Sequence, residues 1–172
     1  MNTNQQSSDR CDGCGLSVPD GAAGCQSIMD KMLAQHFSNP AYFGVHRLFV
    51  DAYCLQHPHR YCVSFKSLAA HLAHVCWTLE RGGSRAIPSE PIRRWVERHP
   101  HWVKPALPDQ RGSMTIADVA LASTPAEHYR AVEQWARSTW EAYAGLQSTA
   151  RDWVDLAFEG QQVERAARRN AG

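Results

Sequence analysis

The sequence predicts an all-α protein, a single-domain helical bundle of about five to six helices opened by an N-terminal Cys/Gly-rich knuckle. Three observations carry this. Apolar residues recur at spacings of three, four and seven over most of the chain, the period of one helix face. No segment alternates well enough to be a strand, Arg60 to Phe65 being the nearest candidate. And 172 residues of ordinary composition, 44% hydrophobic and 20% charged, suit one hydrophobic core. The same composition excludes a collagen-like or wholly disordered chain, and no apolar run reaches the length of a membrane span. The boundaries read as a disordered tail over 1–10, one helical domain over 11–160 with the knuckle at 11–24, and a frayed polar tail over 161–172.

Residues 11–24 are rich in glycine and hold a proline, so they read as turns. From Cys25 to Phe37, Ile28, Met29, Met32, Leu33 and His36 recur at helical spacing until Ser38-Asn39-Pro40 breaks the run. A second helix opens with Asn39 as N-cap and Pro40 at the first position, and runs as one piece to Gln56-His57-Pro58. Its stripe, from Tyr42 and Phe43 through Val45, His46 and Phe49 to Tyr53 and Cys54, is wide enough to be buried on most sides. A third helix spans Ser64 or Phe65 to Arg81, stops at Gly82-Gly83 and lies antiparallel to the second. Pro88 to His99 reads as a shorter helix, the proline-rich stretch to Pro108 as a loop, and Met114 to Val119 as a turn or short helix. A long last helix starts at Thr124-Pro125, with Glu127 completing a capping box and Gly145 as a bend.

Six Cys, nine His and six Trp are many for so short a chain. The start of the sequence lacks the basic and apolar stretches of a secretory signal, so the cytoplasm is the expected compartment. There six thiols do not read as three disulfides. Cys11-Asp-Gly-Cys14-Gly15 is the sharpest signal: a tight turn between two cysteines brings both sulfurs to one tetrahedral metal, and Gly15 lets backbone amides turn back toward them. A redox pair and a chance remnant are the alternatives. A first helix of about 20 Å packed antiparallel on the second sets Cys25 level with Tyr53 to His57. Cys11, Cys14, Cys25 and His57 then converge as a Cys3His structural zinc site. The rival completion uses His46 and His71. His46 and His57 are about 16 Å apart along one continuous helix, so they exclude each other.

Counting levels from the turn between the second and third helices sets His71 beside Val50 and His74 beside Arg47. His46, Asp51 and His71 are thus candidates for a second buried polar cluster, in which Asp51 orients an imidazole for hydrogen bonding, metal ligation or acid–base catalysis. Cys54, Cys62, Cys76 and most Trp read as core. The net charge of +1 gives no global field, but residues 81–111 carry seven basic and three acidic groups, with Trp95 and Trp102 among them. That stretch is a candidate phosphate-facing patch.

These residues resemble a family of small bacterial proteins classed as a domain of unknown function. The resemblance rests on Cys11-x-x-Cys14-Gly15 with Cys25, on Asn39-Pro-Ala-Tyr-Phe-Gly-Val-His-Arg-Leu-Phe-Val-Asp-Ala-Tyr-Cys-Leu-Gln-His57-Pro58, on His71-Leu72 and Leu79 to Gly82, and on Met114 to Val119 and Trp135 to Tyr143. It implies functional candidates at Cys11, Cys14, Cys25, His46, Asp51, His57 and His71. The chain departs from it at Gly21-Ala22-Ala23, where relatives often carry a longer stretch with a histidine.

The leading expectation is a zinc-stabilised binding or regulatory module. A metal-dependent or acid–base enzyme using His46, Asp51 and His71 is the alternative, and a nucleic-acid module using 81–111 the second. A protein partner is open, and a membrane is not expected.

Overall fold

The computed structural model describes residues 9–81, 89–99 and 101–170. Residues 1–8 of the expected N-terminal tail, the Gly82-Gly83 stop, the Pro88 start and residues 171–172 lie outside them. Among the described residues the protein is all-helical: α1 (Ala22–Ser38), α2 (Pro40–Phe43), α3 (His46–Gln56), α4 (Pro58–Tyr61), α5 (Phe65–Glu80), α6 (Ser89–Arg98), α7 (Ile116–Ala120), α8 (Pro125–Ala142), a 3-10 turn (Ala144–Leu146) and α9 (Gln147–Asn170). The only β pairing among them is one isolated bridge, Arg10 to Ser17, which closes the knuckle; the strand candidate at Arg60 to Phe65 is instead the end of α4 and a cap.

The caps explain most starts. Asn39 accepts from the Ala41 amide at 3.0 Å with Pro40 at the first position, and Thr124 and Glu127 form the expected capping box. Ser64 and Ser67 cap α5, and Thr115 with Asp118 caps α7. Each cap satisfies amides that the first helical turn leaves unpaired.

Three boundaries differ from expectation. First, α1 starts at Ala22, so Cys25 lies within its first turns. Second, the long second helix is two helices. A Cβ on Gly44 would lie 2.1 Å from the Tyr129 hydroxyl oxygen, so α8 presses against the chain at Gly44, and α3 restarts at His46. Third, the last helix breaks rather than bends. Tyr143 is fully buried and donates to the Leu55 carbonyl at 2.8 Å, while Gln147 donates back to the Trp140 carbonyl at 3.1 Å and covers an acceptor freed by the break.

At the centre, α3 packs on α5 and α8, and α9 covers α5 and α6. Phe49, Leu55, Leu68, Leu72 and Trp135 are fully buried there, as are Cys62 and Cys76, with Cys54 and Trp153 nearly so. Gln56 clamps three segments: it accepts from Trp135 Nε1 at 2.9 Å and donates to the Arg111 and Met114 carbonyls at 2.7 Å each. That bond set anchors the 101–115 loop across the end of α3 that carries His57.

Candidate metal centre

Antiparallel register between α1 and α3 builds the site. Cys25 at the start of α1 faces Tyr53 and His57 at the end of α3, and the knuckle folds over the same end. Cys11, Cys14, Cys25 and His57 come together with one ligand atom each, all within 4.8 Å of one another, a group that could hold a metal ion. Cys11 Sγ and Cys25 Sγ lie 3.3 and 3.5 Å from His57 Nε2, and Cys14 Sγ lies 3.8 Å from Cys25 Sγ. Tetrahedral bonds of about 2.3 Å to sulfur and 2.0–2.1 Å to nitrogen put ligand atoms roughly 3.6–3.8 Å apart, so the donors sit close to the edges of such a shell. The Cys14–Cys25 separation is far beyond a disulfide bond, and all six cysteines are free thiols.

The surroundings prepare these donors. His57 Nδ1–H donates to the Tyr53 carbonyl at 2.7 Å, which fixes the tautomer and leaves the Nε2 lone pair toward the sulfurs. Backbone amides of Gly13 and Cys14 point at Cys11 sulfur, and that of Leu16 at Cys14 sulfur. The Tyr53 ring stacks on His57 with centroids 4.0 Å apart, and Gln26 accepts from the Tyr53 and Tyr61 hydroxyls at 3.3 and 2.8 Å. Gly13 is required by contact: a Cβ there would lie 2.3 Å from His57 Cδ2.

Three thiols this close cannot all ionise unaided. The hydrogen bond from the Cys25 thiol, helped by His57 and the Leu16 amide against the cost of burial, pulls Cys14 down to about 4. Its negative neighbour and burial hold Cys25 protonated, well above the usual thiol range, and burial pushes Cys11 up as well. A divalent cation would relieve this crowding by neutralising the thiolates together. Cys11, Cys25 and His57 are buried, whereas Cys14 reaches a surface hollow of about 530 Å³ lined also by Arg10, Asp109 and Arg111. A second hollow of about 240 Å³ is lined by His57 with Asp12, Tyr53, His59 and Arg60.

The other candidate residues are divided. Asp51, fully buried, accepts from His71 Nδ1 at 2.7 Å and from Arg47 Nε at 2.9 Å, and His74 lies 3.7 Å away with Arg47 also bonded to it. Burial would raise Asp51, but His71, His74 and Arg47 outweigh it and hold the carboxyl below the usual range. Burial would likewise depress His71, but Asp51 lifts it to about 9. His46 does not join them. Its Nδ1 meets His36 Nδ1 at 3.2 Å, and His36 Nε2 meets His128 Nε2 at 2.8 Å. By spacing His36 belongs to the apolar stripe of the first helix, and the sequence pattern does not mark His128 or Gln56 as a buried polar partner. Glu127, three residues from a cap, locates the helix start, yet nothing local marks His128 beside it as a partner of α1.

In the basic stretch, Arg93 is paired with Glu90 and Glu97, Arg94 with Glu90, and Arg81 with Asp155, while Lys104 donates to the Cys62 carbonyl at 2.9 Å. Arg85 lies outside the described residues. No helix among the described residues is long and apolar enough to cross a membrane.

No curated protein and no solved structure matches the chain. Residues 9–144 match a family model that begins two residues before Cys11, takes in all four residues of the Cys/His group and ends at the break between α8 and α9. The chain therefore belongs to DUF5946, a family of unknown function.

Proposed function

We propose that Cys11, Cys14, Cys25 and His57 bind one structural zinc ion and that the protein is a metal-stabilised binding or regulatory module of the cytoplasm. The observation that carries this reading is the convergence of three thiols and one imidazole within 4.8 Å, with amides directed at the sulfurs and the imidazole tautomer fixed behind. Soft sulfur donors with one imidazole suit zinc and not magnesium or calcium, which take oxygen ligands. Four protein donors complete a tetrahedral shell, the form that serves structure. When bound, zinc supplies charge neutralisation and a cross-link between the knuckle, α1 and the end of α3. Apart from its cysteines the knuckle packs Leu16 and Val18 against the core, and the cross-link adds to that in setting its position and the shape of the two hollows beside the site. A binding role fits these hollows, which Arg10, Arg60 and Arg111 line with positive groups alongside Asp12 and Asp109.

The enzyme alternative draws less support. His46 is bonded to His36 rather than to Asp51, and His71 is held charged at neutral pH, where it cannot act as a base without first losing that proton. The paired arginines weaken the nucleic-acid alternative in the same way, since their charge is spent on neighbouring carboxylates.

The test is Cys14→Ser, compared with the parent protein for zinc content and thermal midpoint. A structural site loses zinc and stability together. Loss of zinc with an unchanged midpoint contradicts a structural role.

A further inference from the structure

The opposite end of the α1–α3 pair holds a cluster with no part in the site above. His36 comes from the last turn of α1, His46 opens α3 and His128 lies in the first turn of α8. His36 and His128 are 1% exposed, and His46 is half-buried beneath Phe37 and Phe43, which are 69% and 48% exposed. We propose that His36 Nδ1 and His46 Nδ1 form a second site, for a divalent transition-metal ion of the zinc class, with His128 as the outer partner that orients His36.

The geometry separates two kinds of contact within one cluster. Two nitrogens bound to a tetrahedral ion at 2.0–2.1 Å lie about 3.3–3.4 Å apart. The Nδ1 pair stands at 3.2 Å, a hydrogen-bond separation that is also close to that spacing, while the Nε2 pair of His36 and His128, at 2.8 Å, is too close for two ligands of one ion and is a hydrogen bond alone. A metal-bound imidazole ordinarily donates its remote N–H to a fixed acceptor, and His128 Nε2 stands where that acceptor is needed. The His46 ring is held by stacking on Phe43, with centroids 4.9 Å apart and planes 10° from parallel, and by the edge contact of Phe37 at 5.0 Å. Its half-buried position supplies the entry path. Two protein donors leave two positions of a tetrahedral shell for water or a small anionic ligand.

The chemistry of the surroundings agrees. The donors here are imidazole nitrogens, which suit zinc, nickel and copper rather than cations that seek oxygen ligands. Burial, with the other two imidazoles, pushes His36 down to about 4, and burial lowers His46 and His128 too. Neutral rings are the form that ligates at neutral pH. Arg47, next to His46 in the chain, is turned onto Asp51 and His74. Cys25 and His36 are eleven residues apart on α1, about 16 Å, so the two sites cannot share an ion.

Protein already carrying its first equivalent of zinc is titrated with further zinc by calorimetry. A second, weaker equivalent is expected, weakened at least tenfold in His46→Gln and about tenfold in His128→Gln. Both variants are first checked for unchanged helicity, and the first equivalent should remain in each. Nitrogen-15 NMR of the parent should show zinc displacing the Nδ1 resonances of His36 and His46 while His36 Nε2 keeps its proton. Absence of a second equivalent, or one held equally well by His46→Gln, overturns the proposal and leaves a hydrogen-bonded imidazole chain. Neither result touches the Cys3His reading, which rests on the first equivalent alone.

Discussion

The two ends of the α1–α3 pair gather ligand-type side chains in different ways. At the Cys25–His57 end the donor atoms face one point, and a buried Tyr53 carbonyl fixes the imidazole from behind. At the His36–His46 end the rings form a row, with His36 in the middle using both nitrogens. One end crowds acidic thiols that need a cation, and the other crowds bases that burial keeps neutral. Between them, about one and a half turns from either, buried Asp51 holds His71 and Arg47 in a charge cluster. Neighbouring levels of one helix thus favour a metal, neutral imidazoles and imidazolium in turn. The partner that each level meets on α1, α5 or α8 decides which.

The largest expected effect breaks the first end. Stripping zinc with a chelator, or replacing Cys25 by Ser, should lower the thermal midpoint by about 10 °C, equivalent to roughly 3–5 kcal/mol for a chain of this size; calorimetric melts with and without zinc check it. Next, Asp51→Ala takes the buried carboxylate from half-exposed Arg47 and largely buried His71 and should cost about 1.5–3 kcal/mol in urea unfolding, with zinc retained.

The pH dependence should then differ in sign between the two histidine clusters. His36 falls to about 4 in the fold, so its contribution is complete above an unfolded value near 6.5 and is lost as pH falls toward 4. The slope is about 1.4 kcal/mol per pH unit for each proton taken up. His71 rises to about 9, so its contribution is complete below about 6.5 and is lost as pH rises through 9. Stability measured from pH 4 to 10 in His128→Gln and Asp51→Asn should flatten the acid and alkaline limbs respectively. The smallest effect sharpens the knuckle: Gly13→Ala must displace the His57 ring and should cost about 1–3 kcal/mol, with weaker zinc retention against a competing chelator.

Much of this was legible in the chain because the signals are local. Asn39-Pro40 and Thr124-Pro125 carry their caps within three residues, and Cys11-x-x-Cys14 encloses its turn. Cys25 and His57 followed from helix length and antiparallel packing alone, since a rise of about 1.5 Å per residue converts sequence distance into level. What escaped depended on distant chain. Gly44 looks like a tolerable helix residue until the Tyr129 hydroxyl, 85 residues later, is found against it. His36 fits an apolar stripe by spacing, and only His128 on α8 gives it a polar role. Gln56 lies in a run of buried residues, and its three partners come from Trp135 and the 111–114 loop. The continuous periodicity across Gly145 hid a break that buried Tyr143 enforces from the core side.

The central claim is that Cys11, Cys14, Cys25 and His57 hold one zinc as a closed shell. X-ray absorption at the zinc edge, on protein purified reduced and without chelator, tests it most directly. The account predicts one zinc per chain with three sulfurs at about 2.3 Å and one nitrogen at about 2.0 Å. A zinc content near zero, or a shell containing fewer than three sulfurs or a water oxygen, would contradict it.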